Sequence, residues 1–98
     1  DDPVAREKVL GTSDARAALE DARAALSSLP EPWTPARIEE ALRGVVERTG
    51  RKPKHIFQPL RVALTGTTVS PGIFETVALL GREETLARVR NALEASAG

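Results

Sequence analysis

The sequence predicts an all-α fold, a small bundle of about five short helices. Three observations carry that prediction. Apolar residues recur at three- and four-residue steps in several separate windows. Aromatic residues make up only 3%, namely Trp33, Phe57 and Phe74, which is poor for a β-sandwich or a base-stacking sheet. Nowhere does strand-like alternation outrun the helical spacing. The 98 residues suit a single domain over 1–98, able to bury roughly 60–65% of its unfolded surface. Much of the 41% hydrophobic content is alanine, so the core is expected to be thin and the helices close-packed.

Residues 1–12 read as the tail of a preceding segment, stopped by Gly11. Residues 13–50 read as a two-helix scaffold. Ser13 is the expected N-cap of the first helix, with Asp14 placed favourably near its positive end. The helix runs to about Leu29, with Ala15, Ala18, Leu19, Ala22, Leu26 and Leu29 as its apolar face. Pro30-Glu31-Pro32 ends it. Thr34 caps the second helix with Pro35 at the first helical position, where a missing N–H is harmless. Ile38, Ala41, Leu42 and Val45 form the buried stripe, and Gly50 suits the left-handed C-terminal position. Trp33, just before the cap, reads as a packing staple.

Residues 51–98 hold the rest. Arg51 to His55 reads as a basic connector. A third helix is expected from Gln58 or Pro59 to Leu64 or Thr65, ending at Gly66, with Leu60, Ala63 and Leu64 inward. A fourth starts near Pro71 and ends before Gly81, burying Ile73 or Phe74, Val77 and Leu80. A fifth runs from about Glu83 to Ala95 around Leu86, Val89 and Leu93.

Charge and inventory narrow the function. The formal net charge is zero, but residues 1–50 carry ten acids against seven bases, and residues 51–98 four against seven. From Arg48 to Arg61 there are five bases and no acid, a local basic stretch in an otherwise balanced chain. His55 is the only histidine and cysteine is absent, so Cys/His catalysis, thiolate metal sites and disulfides have no residues to use. The adjacent pairs Glu39–Glu40 and Glu83–Glu84 point about 100° apart on a helix and cannot converge on a substrate. No phosphate-binding glycine loop occurs, and no apolar run is long enough to span a membrane.

One segment remains as a ligand surface. From Gln58 to Gly81 two helices flank a polar loop, with Arg61 among apolar neighbours and Pro71-Gly72 opening the second helix. A guanidinium can make paired hydrogen bonds to a base edge or phosphate. The Thr67-Thr68-Val69-Ser70 loop offers hydroxyls and backbone groups, and the following helix offers free N–H donors. Single-stranded RNA is read by such means. The competing reading is that Arg61 pairs with Glu75 or caps a helix and that the loop is a connector. Two other classes compete: a helical protein–protein interaction module, favoured by a large apolar patch on the helix from Ser13, and a structural appendage without RNA contact.

The strings Gln58-Pro59-Leu60-Arg61-Val62-Ala63-Leu64-Thr65-Gly66, Ser70-Pro71-Gly72-Ile73-Phe74-Glu75 and Leu79-Leu80-Gly81-Arg82-Glu83 closely resemble the C-terminal end of bacterial-type glutamyl-tRNA synthetase. Trp33-Thr34, Ile38-Glu39 and Ala41-Leu42 are similar to that family as well. The resemblance implies a helical-cage anticodon-binding domain that selects tRNA(Glu) for ATP-dependent attachment of glutamate. It implies anticodon contacts at Arg61 and at Ser70, Pro71, Gly72, Ile73 and Phe74, with Gln58 nearby. Arg51, Lys52 and Lys54 become candidate phosphate contacts. It also implies a cytoplasmic, monomeric parent enzyme whose catalytic domain uses ATP and Mg; this chain carries no catalytic residue, metal site or cofactor of its own. The family's reader of the third anticodon letter lies upstream.

Overall fold

The computed structural model describes residues 9–68 and 72–97. Among the described residues four helices follow in order: α1 (Ser13–Ser28), α2 (Pro35–Thr49), α3 (Lys54–Thr65) and α4 (Ile73–Ala97). The bundle is all-α, as the apolar spacing predicts. α1 and α4 each pack against the other three helices. The core joins Ala18, Leu19, Ala22 and Leu26 of α1 to Ile38, Leu42 and Val45 of α2. It continues through Ile56, Leu60 and Val62 of α3 to Val77 and Val89 of α4, all fully buried.

Most ends follow their local chemistry. Thr34 Oγ1 accepts from Arg37 N at 3.3 Å, and Pro35 opens α2. Gly50 and Gly66 close α2 and α3 in left-handed conformations, at φ 73° and 79°. The α1 cap differs from expectation. Thr12, not Ser13, holds the extended cap geometry and accepts from Ala15 N at 3.1 Å. Both residue types cap well, so only the backbone path chooses between them.

The start of α3 is a larger correction. The helix begins at Lys54, so His55 lies within it rather than in a connector, and Pro59 sits inside it. An interior proline normally costs about 3 kcal/mol or more in lost hydrogen bonding and steric clash. Burial of Ile56, Phe57, Pro59, Leu60, Val62, Ala63 and Leu64 offsets it. Propensity loses to packing here.

The fourth and fifth expected helices meet at Gly81, whose φ of 83° and ψ of 169° lie outside the helical range, so α4 consists of two helical segments on either side of a kink. Thr85, the buried polar residue here, turns its hydroxyl toward Val77 O at 3.5 Å across the kink. Arginines beyond the kink reach other helices: Arg82 donates to Ser27 O at 2.6 Å, and Arg88 donates to Leu64 O at 2.7 Å. They satisfy carbonyls that the last turns of α1 and α3 leave unpaired. Gly81 has a backbone conformation that is essentially glycine-only, with open space where a Cβ would stand. Gly81→Ala is therefore expected to cost about 1–3 kcal/mol through backbone strain alone. Urea denaturation measures it, and an unchanged midpoint would show that the kink carries no strain.

Candidate nucleic-acid interface

Because α3 buries one broad face, its polar residues fall on the other. Lys54, Gln58 and Arg61 follow at four- and three-residue steps, so they form one stripe along the exposed side. Lys54 and Gln58 are exposed, and Arg61 is half-buried between Leu60 and Val62, both fully buried. The Arg61 stem thus lies along the core edge. Among the described residues its guanidinium has no hydrogen bond or ion pair, and Glu75 does not pair with it. Thr65 Oγ1 donates toward Arg61 O at 2.8 Å and stands 3.2 Å from Thr67 O, tying the last turn of α3 to the loop that follows.

Ser70 and Pro71 lie outside the described residues. Gly72 is exposed, and its carbonyl accepts from Thr76 N and Thr76 Oγ1, both at 3.0 Å. Ile73 is 3% exposed and belongs to the core. Phe74 is half-buried. Its ring meets Phe57 edge to face, at 5.6 Å between centroids and 87° between planes. The Arg43 guanidinium lies over both rings, 5.7 Å from the Phe74 centroid and 6.0 Å from that of Phe57, while its Nε donates to Glu39 at 2.7 Å. Sequence reasoning missed Arg43, because its partners come from two other helices.

The three candidate phosphate contacts separate. Lys52 and Lys54 are exposed and unpaired among the described residues. Arg51 is engaged within the fold: its Nη1 lies 2.6 Å from Asp21 Oδ2, and its Nη2 lies 3.9 Å from Asp14 Oδ1. A partner 30 residues away left no local signal. This cation pins the start of α3 to α1.

Beside the stripe runs an open groove of about 510 Å³. Lys54, His55, Gln58 and Pro59 of α3 form one wall, and Asp14 and Ala15 of α1 the other. Thr12, Thr68 and Val9 also line it. Among the described residues no group of three or more His, Asp or Glu side chains is placed to hold a metal. No described helix is long and apolar enough to cross a membrane. The exposed side of α3 thus offers a guanidinium, an amide and an unpaired lysine on one stripe.

The profile of the anticodon binding domain family matches residues 1–93. The glutamate–tRNA ligase of Saccharopolyspora erythraea is 53% identical over 90 residues, covering 91% of this chain and 18% of that protein. The glutamate–tRNA ligase of Mycobacterium tuberculosis is 48% identical over 92 residues, covering 93% of this chain and 18% of that protein. A crystal structure of a glutamate tRNA ligase from Elizabethkingia meningosepticum, in complex with its amino acid, superimposes with a TM-score of 0.83 at 25% identity. It covers 95% of this chain and 18% of that one. The chain therefore spans under a fifth of the length of the relatives it matches.

Proposed function

Because this chain belongs to the anticodon-binding domain family, in the form found in glutamate–tRNA ligases, we propose that it binds the anticodon loop of a glutamate tRNA. The bound tRNA would be presented to a catalytic domain of the same parent chain, which attaches glutamate with ATP and Mg. The parent enzyme is then a cytoplasmic monomer. The contribution of this domain would be selection.

The observation that carries the reading is Arg61, a guanidinium seated at the core edge with no intramolecular partner among the described residues, on one stripe with Gln58 and Lys54. Arg61 would hydrogen-bond a base edge or neighbouring phosphate, and Gln58 would assist. Ser70 and the backbone at Pro71 and Gly72 would read base edges. Phe74, half-exposed on the Phe57 ring, would form the wall against which a base packs, with Ile73 supporting it from the core. Lys52 and Lys54 would meet phosphates. Arg51 would act on the phosphates only through the field of its paired charge. The docking alternative draws less support: among the described residues Leu79 on α4 is the large apolar side chain left exposed, whereas the exposed apolar residues of α1 are alanines.

Arg61→Ala is expected to weaken binding of a glutamate anticodon stem-loop by about 1–3 kcal/mol, the range for one good base contact, while the helical content stays intact. Binding should also fall as salt rises. A fluorescence titration against cognate and unrelated stem-loops checks both. Equal affinity for the two RNAs would sink the selection claim, and unchanged binding by a folded Arg61 variant would make that residue structural.

A further inference from the structure

We propose that the groove between the start of α1 and the exposed side of α3 seats one ribose of the bound RNA, and that Asp14 accepts a hydrogen bond from its 2′-hydroxyl. The inference rests on the RNA-binding reading above and adds to it a means of telling RNA from DNA.

The groove adjoins the proposed reading stripe, since Lys54 and Gln58 belong to both. Its volume of about 510 Å³ leaves room for one nucleoside unit. The α3 wall carries a cation and an amide, suited to a phosphate and a base edge. The α1 wall carries a carboxylate, Asp14. A carboxylate repels a phosphodiester chain unless it meets a hydrogen-bond donor. The donor that every ribonucleotide carries beside its phosphate is the 2′-hydroxyl, the group by which proteins distinguish RNA from DNA.

Asp14 is free to act in this way. Its side chain is 75% exposed and stands 3.9 Å from Arg51, whereas Asp21 already holds that arginine at 2.6 Å. Asp14 is therefore not required to neutralise Arg51. In return, the Arg51 guanidinium moderates the repulsion between Asp14 and the RNA. The other ionisable side chains lining the groove, Lys54 and His55, lie on the opposite wall.

The two possible roles of Asp14 predict opposite signs. A solvated carboxylate only repels RNA, so removing it leaves binding equal or tighter. A ribose acceptor makes its removal harmful. The probe is a glutamate anticodon stem-loop, all-ribose or with a single 2′-deoxy substitution at each loop position in turn, titrated against the full chain and its Asp14→Ala variant. Circular dichroism confirms that the variant is folded. The expected result is a loss of roughly three- to tenfold for the variant on all-ribose RNA. A similar loss should appear for the unaltered chain at one deoxy position, with no further loss when the two changes are combined. All-ribose binding by Asp14→Ala that is equal or tighter overturns the inference, and so does the absence of any loop position whose deoxy penalty depends on Asp14. If the unaltered chain fails to prefer the cognate all-ribose stem-loop, the anticodon reading itself fails first.

Discussion

Trp33→Ala is expected to destabilise the domain by about 3–5 kcal/mol, the usual range for truncating a buried aromatic. Trp33 is 8% exposed, and its indole Nε1 donates to Leu29 O at 2.8 Å. Its backbone N–H donates to Glu31 Oε1 at 3.1 Å, which holds the turn between α1 and α2. Truncation therefore opens a cavity and leaves a carbonyl at the end of α1 without its donor. A domain of this length holds only about 5–15 kcal/mol in total, so the variant would be marginal at 37 °C. Trp33→Phe separates the two causes. It keeps most of the volume and loses the hydrogen bond, for a cost of about 0.5–1.5 kcal/mol from the bond plus whatever gap the smaller ring leaves. Because Trp33 is the one tryptophan in the chain, unfolding has to be followed by circular dichroism rather than fluorescence. An alanine variant within 1 kcal/mol of the parent would remove Trp33 from the core.

Leu60→Ala is expected to cost about 2–5 kcal/mol. Leu60 is fully buried in the middle of α3. With Pro59 inside it, α3 cannot rely on its own propensity and is held by packing. The loss should therefore be visible locally. In hydrogen exchange, amides between Val62 and Gly66 should lose protection before those of α1. Slow exchange in α3 that is untouched by the substitution would refute this account. The neighbouring Arg61→Ala should do the reverse, changing RNA binding while leaving stability nearly unaltered. Two adjacent residues would then divide stability from recognition, because successive side chains on a helix point to different faces.

The scaffold was legible where the signals are local. Thr34-Pro35 and Gly50 bracket α2 as the sequence indicates, since capping depends on a few adjacent residues. Ala18, Leu19, Ala22 and Leu26 are buried as their spacing requires. The start of α3 was misread because the penalty for an interior proline is local and visible, whereas the burial that overrides it comes from other helices. Gly81 was correctly seen as a helix end, but where the segment beyond it packs depends on contacts such as Arg82 with Ser27.

The candidate site divides in the same way. Gln58 and Arg61 could be singled out from the sequence, and their shared exposed side follows from helical spacing once α3 is known to start at Lys54. Three features were decided only by tertiary structure. The Phe57–Phe74 pair lies beneath Arg43, Arg51 is held by Asp21, and Asp14 faces Lys54 across a groove. By itself the sequence determined the helical class, the caps of α2, the buried stripes and the resemblance, because each is written in residues within a few positions of one another. Local pairs such as Arg43 with Glu39 lie within one helix, but the fate of Arg51, paired within the fold rather than left facing solvent, was decided by which helices meet. A guanidinium's partner is set by proximity in space, and Asp21 comes within 2.6 Å of Arg51 only after α1 and α3 have packed.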